Sequence, residues 1–133
     1  MTPNRIAAIA GAVLFAVVGG WGLVAALSPA DPTLGPLIAG VLGASVPLAA
    51  LHLVIALALA VGAIRGELLA RPVNVTVGTL LVALGLFGLF AVGSPANVFG
   101  LNGADNALHF AASSGLLATG LGAARARTRP RRD

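Results

Sequence analysis

"IAAIAGAVLFAVVGGWGLVAAL", residues 6–27, contains neither a charged side chain nor a proline. A bilayer core about 30 Å thick is crossed by a helix of about 20 apolar residues, so this run reads as a membrane-spanning helix. "SPADPTLGP" (28–36) ends it with prolines and an aspartate that a helix in lipid does not tolerate. Three more such runs follow at about 46–64, 73–92 and 104–123. Between the second and third lies "RGELLAR" (65–71), with Glu67 expected to be solvated between arginines and Pro72 placed to open the third helix. "LIAGVLGA" (37–44) is apolar but short and glycine-rich, which fits a re-entrant or interfacial piece or an early start of the second helix.

Composition requires a lipid surface. Only 9% of the 133 residues are charged and 58% are hydrophobic, with a mean hydropathy of +0.99. A water-facing domain carries roughly 25% charged residues. The expected fold is therefore all-α, one transmembrane domain over 1–133: an integral membrane four-helix bundle with a basic tail, 124–133. The absence of cysteine excludes disulfides and thiolate metal sites. Arg5, followed by the first run and then Ser28 and Ala30, has the outline of a signal peptide. The run is too long for an h-region of about 7–15 residues, so it is read as a span.

Arginine placement sets the orientation. Arg5 precedes span one, Arg65 and Arg71 lie between spans two and three, and Arg125, Arg127, Arg129, Arg131 and Arg132 follow span four. The other two connections hold Asp31 and Asp105 and no basic residue. The positive-inside rule then predicts that both termini are cytoplasmic. The tail arginines are expected to anchor on anionic lipid headgroups rather than to bind nucleic acid.

"WGLVAALSP" (21–29) and "FGLFAVGSP" (87–95) share Gly, Leu, Ala, Ser and Pro in register, with Trp21 answered by Phe87. "LHL" (51–53) and "LHF" (108–110) begin the even-numbered spans, each histidine seven residues after a candidate cap, Ser45 or Asn102. Two parallel helical-hairpin repeats are predicted, related about an axis along the membrane normal.

The second repeat carries a polar patch: Asn102, Asp105, Asn106, His109 and Ser113. Asn102 and Asp105 fit an N-cap and an N3 carboxylate. Asp105, His109 and Ser113 recur every four residues, and such a stripe should face the protein interior rather than lipid. His52 lies at the same depth on span two, with Ala49, Ala56, Ala60 and Ala63 near its face. Gly85, Gly88, Gly115 and Gly120 point to close helix contacts. Three readings compete for the histidines. Each fixes helix register through a neighbour; or the pair is a cofactor site, His52 and His109 holding haem or a metal; or they handle protons or a solute.

"NGADNALHF" (102–110), with Asp105 and Asn106 just before His109, together with "LHL" resembles a family of four-span bacterial membrane proteins catalogued as a domain of unknown function. The resemblance covers about 6–123. Where that family's pattern has an asparagine before the first histidine, this chain has Ala49. The resemblance implies a four-helix integral membrane protein and no established activity; the expected location is a bacterial cytoplasmic membrane, crossed several times.

No nucleotide loop, nucleophile motif, paired carboxylates or zinc spacing occurs, so no enzyme activity is expected. Asn74-Val75-Thr76 matches a glycosylation pattern but lies on the predicted cytoplasmic side. The favoured function is a small accessory or structural membrane protein, a subunit of a larger complex or a homo-oligomer, with no cofactor expected. The alternatives are a haem- or metal-binding redox protein using His52 and His109, and a small transporter or channel component.

Overall fold

Thr2 caps the first helix, its Oγ1 accepting from the Arg5 N–H, and Pro3 stands in the first turn, where a missing N–H costs nothing. The computed structural model describes residues 1–30 and 35–127, with side chains through residue 122. The predicted headgroup anchor, Arg125, Arg127, Arg129, Arg131 and Arg132, lies outside the side chains so described. Four helices form: α1 Pro3–Ala26, α2 Val46–Arg65, α3 Glu67–Ala91 and α4 Gly103–Arg127. Among the described residues, α1, α2 and α3 are long and apolar enough to cross a membrane. Asp105, Asn106, His109, Ser113, Ser114 and Thr119 make α4 more polar.

Two local expectations are corrected. The third helix begins five residues before Pro72, which therefore lies inside it. Gly66, with φ 96°, is the one residue separating α2 from α3, a conformation that suits glycine. The hydrogen bond that Pro72 removes would have gone to the carbonyl of Leu68, in the outermost turn, where the loss is small. Residues 37–43 are not an early start of α2. They form an antiparallel hairpin of β1 (Leu37–Ile38) and β2 (Leu42–Gly43), with Ala39 and Gly40 at its tip at φ 51° and 72°.

The helices pair antiparallel. Arg5 meets Ala63, Gly11 faces Leu59, and Gly19 lies against Ala49 and Leu53 across α1 and α2. Across α3 and α4, Arg71 meets Gly120, Gly78 faces Leu117, and Gly85 lies against Phe110. Arg5 against Ala63 answers Arg71 against Gly120 in the register that aligns Trp21 with Phe87 and His52 with His109. Gly19 against Leu53 answers Gly85 against Phe110, and Gly22 against Ala49 answers Gly88 against Asn106. The starts of α1 and α3 and the C-terminal parts of α2 and α4 share one end, with Arg5, Arg65 and Arg71. The hairpin and the start of α4 lie at the other.

Phe15, Leu59 and Leu81 are fully buried at mid-height, joined by Ile55, Ala56, Val77 and Leu116. Outward, the surface is apolar: Val13, Val17, Val24, Val54, Leu57, Leu80, Leu89 and Phe90 are all exposed. Polar groups are inside instead, with Asn4, His52, Asn74, Asp105, Asn106, His109 and Ser113 buried. Exposed hydroxyls of Thr79 and Ser114 donate back to carbonyls of their own helices, each at 2.8 Å. A lipid-facing hydroxyl needs that satisfaction, since hydrocarbon offers no partner.

Candidate functional site

Asn102 and Asp105 close a reciprocal cap at the start of α4. Asn102 Oδ1 accepts from the N–H groups of Ala104 and Asp105 at 2.9 and 3.1 Å, and Asp105 Oδ2 accepts from Asn102 N–H at 2.9 Å. This is the capping-box arrangement, with aspartate in the place of glutamate. The equivalent cap in the first repeat is simpler: Ser45 Oγ accepts from Leu48 N–H at 3.2 Å and donates to Phe99 O at 2.6 Å.

The same two residues also grip the β-hairpin. Asp105 Oδ2 accepts from Gly43 N–H at 3.1 Å, and Asn102 Nδ2 donates to Val41 O at 2.9 Å. A side chain at Gly43 would run into Gly100 O and, at 2.8 Å, Asp105 Oδ2. The connection between α1 and α2 is thus docked onto the start of α4. Sequence reading placed Asp105 in a cap and missed this second contact, because nothing local ties residue 43 to residue 105.

One turn deeper, His52 and His109 bond to each other, Nε2 to Nε2 at 3.1 Å, with ring centroids 5.4 Å apart. Phe15 covers His52 at 5.2 Å between centroids. One ring donates and the other accepts, so a neutral pair carries opposite tautomers. The remaining members of the predicted stripe are buried on this face but are not joined to the pair. Ser113 Oγ donates to Phe110 O at 2.8 Å within its own helix. Asn106 is pressed against Gly88, whose missing Cβ leaves the room its amide oxygen occupies. Among the described residues, Asp105 Oδ1, Asn106 Oδ1 and His109 Nδ1 are buried without a partner.

A second polar level lies at the arginine end, and sequence reading missed it. Asn74 Nδ2 donates to Asn4 O at 2.9 Å and to Asn4 Oδ1 at 3.2 Å, and Asn4 Nδ2 donates to Glu67 Oε1 at 2.7 Å. Thr2 Oγ1 donates to Glu67 Oε2. Glu67, expected to be solvated, instead ties the start of α3 to the start of α1. The available signal was Asn74 itself, a lone amide in an apolar run that lipid would penalise unless it faced inward. Among the predicted close-contact glycines, Gly85, Gly88 and Gly120 abut neighbours while Gly115 faces open space.

An apolar outer surface around buried amides and imidazoles, on helices of this length, defines a helical membrane protein. The chain belongs to the family described as a domain of unknown function, DUF4383, whose model matches residues 5–122. Comparison with curated proteins gave no match, and comparison with solved structures gave none either.

Proposed function

We propose that this is a four-span membrane protein with both termini cytoplasmic, built from two parallel hairpin repeats, and that it serves as a non-enzymatic structural or accessory subunit in a bacterial cytoplasmic membrane. The observation that carries this reading is the dry layer of Phe15, Leu59 and Leu81 between the two polar levels. Transport of protons or polar solutes needs polar groups or water across the full thickness. Here the polar side chains instead join helix to helix at either end. A fourth span is supported by α4 itself: Asp105, Asn106, His109 and Ser113 are buried, while Ala107, Ala111, Ser114, Gly115, Ala118 and Leu121 are exposed, the Ser114 hydroxyl satisfied within its own helix.

Partner proteins or further copies of the chain would bind the outer faces. Gentle solubilisation of native membranes, affinity capture of the tagged full chain and size measurement test this. A stoichiometric partner or a defined oligomer is expected, and a clean monomer with no companion would overturn it.

The convergence of His52 Nε2 and His109 Nε2 favours a second reading, a metal ion held between imidazoles. A haem iron needs its two nitrogens about 4 Å apart, given bonds of about 2 Å. The observed 3.1 Å is closer to the chord of a bent two-imidazole site, so a bare ion is the form this reading takes. Metal analysis of purified protein with an absorbance scan decides it. One ion per chain, lost in His109→Ala, supports the metal, and its absence returns the pair to a purely structural role.

A further inference from the structure

Two grooves at the arginine end share one construction. In the first, between α1 and α2, Arg5 stands over Ile9, Ala12, Val13, Ala60 and Ile64 around a cavity of about 270 Å³. In the second, involving α3 and α4, Arg71 stands over Leu68, Val75, Thr76 and Leu121 around about 410 Å³. Arg5 and Arg71 are equivalent in the register set by Trp21 and Phe87, and Ile9 is equivalent to Val75.

Each guanidinium is fixed the same way. Arg5 Nε donates to Ala63 O at 2.9 Å, and Arg71 Nε donates to Gly120 O at 3.0 Å. Ala63 and Gly120 are themselves equivalent in the register set by His52 and His109. Nε is thus committed to the neighbouring helix, and the planar fork is held at the groove mouth. Among the described residues, the Nη groups of Arg5 and Arg71 meet no acceptor. An oriented guanidinium with free Nη donors matches the oxygens of a phosphate. Below it, the first groove runs from Arg5 to Val13, about 12 Å at 1.5 Å per residue, lined by apolar side chains.

We infer that these two grooves are repeat-related binding sites for anionic phospholipid, the phosphate on the guanidinium and an acyl chain along the apolar trough. The inference rests on the proposal that the chain spans a membrane with its arginine end at the anionic leaflet. Charge complementarity at the mouth and an apolar wall beneath it select this occupant over a peptide helix, which would bring no anion to that depth. Glu67 also lines the second groove, its carboxylate engaged by Thr2 and Asn4.

The test is native mass spectrometry of the full-length protein in detergent with phosphatidylglycerol or phosphatidylcholine of the same acyl chains. The tail is unchanged in every variant, so its contribution cancels. Wild type should retain two phosphatidylglycerol molecules in preference to phosphatidylcholine. Arg5→Gln and Arg71→Gln should each lower phosphatidylglycerol affinity at its own groove about fivefold, the equivalent of about 1 kcal/mol per arginine. Inorganic phosphate at millimolar concentration should not displace the lipid. Ala60→Phe fills the first groove and leaves Arg5 in place. It should remove the lipid of the first groove, and it answers the question if the arginine variants fail to fold. Equal retention of both lipids, displacement by free phosphate, or two bound phosphatidylglycerols in both Ala60→Phe and the double arginine variant would overturn the inference. A chain absent from the membrane fraction would instead overturn the spanning proposal beneath it.

Discussion

The histidine pair is held by a single hydrogen bond between two rings that are almost fully buried. Truncating one partner leaves the other with a buried unsatisfied nitrogen, a loss of about 1–3 kcal/mol. His52→Ala and His109→Ala should each destabilise the chain by that order, and the double variant should lose less than their sum. A double-mutant cycle on unfolding in denaturing detergent reads the coupling, expected at about 0.5–1.5 kcal/mol. Strict additivity would show that the rings do not depend on each other. Gly88 offers a second residue-scale test. Alanine favours a helix by about 1 kcal/mol over glycine, but its Cβ would overlap the amide oxygen of Asn106. Gly88→Ala should therefore destabilise by about 1–3 kcal/mol. Asn106→Ala in the same chain should restore most of the loss. At the equivalent Gly22 the nearest atoms are side-chain ends, Ile38 Cδ1 at 3.3 Å and Ala49 Cβ at 3.6 Å. Gly22→Ala should be close to neutral, and thermal melts of the three variants compare them directly.

Among the elements, the β-hairpin and the start of α4 depend on Asp105. Removing its carboxylate takes away a cap and the contact to Gly43 together. Asp105→Ala should cost about 0.5–2 kcal/mol as a cap loss. It should also raise hydrogen exchange in residues 37–43, far from the substitution in sequence. If exchange rose only within α4, the hairpin contact would carry no weight. The runs of sequence announced all four helices, because apolar length is a strong signal for a helix in lipid. They did not announce the hairpin, whose register is set by Asn102 and Asp105 from across the molecule. Nor did they give the true start of α3. Pro72 marks a helix start by local rules, and the preceding turn is held helical by Glu67, bound to Thr2 and Asn4 in another helix. The histidines could be placed at equal depth from their caps, but their meeting required the packing of two hairpins.

For the molecule as a whole, polar levels at both ends and a dry middle mean that cohesion does not rely on the apolar effect, which is weak between helices in lipid. Close glycine contacts and buried amide bonds do that work. Asn74→Leu removes the donor that joins α3 to Asn4 while keeping apolar volume. It should leave the chain in the membrane fraction after alkaline extraction but lower its resistance to detergent unfolding. Loss from the membrane would show instead that insertion, not cohesion, depends on Asn74. Arg5, Arg65 and Arg71 gather at one end of the fold, so labelling single cysteines from either side of intact cells should find Arg65 and Ser94 positions on opposite faces.

The bond between His52 and His109 can be drawn with its proton on either ring, and in a perfectly symmetric pair the two drawings would have equal energy. The neighbours break that degeneracy. His109 Nδ1 is buried without a partner, and a bare lone pair there costs less than a bare N–H. The arrangement that leaves His109 Nδ1 as a bare lone pair has the proton on His109 Nε2 and the other N–H on His52 Nδ1. The repeat supplies two like halves, and their differences, Asp105 for Leu48 and Asn106 for Ala49, give the centre of the molecule a direction. Nitrogen-15 spectra of the two imidazoles should show one of each tautomer, without exchange between them.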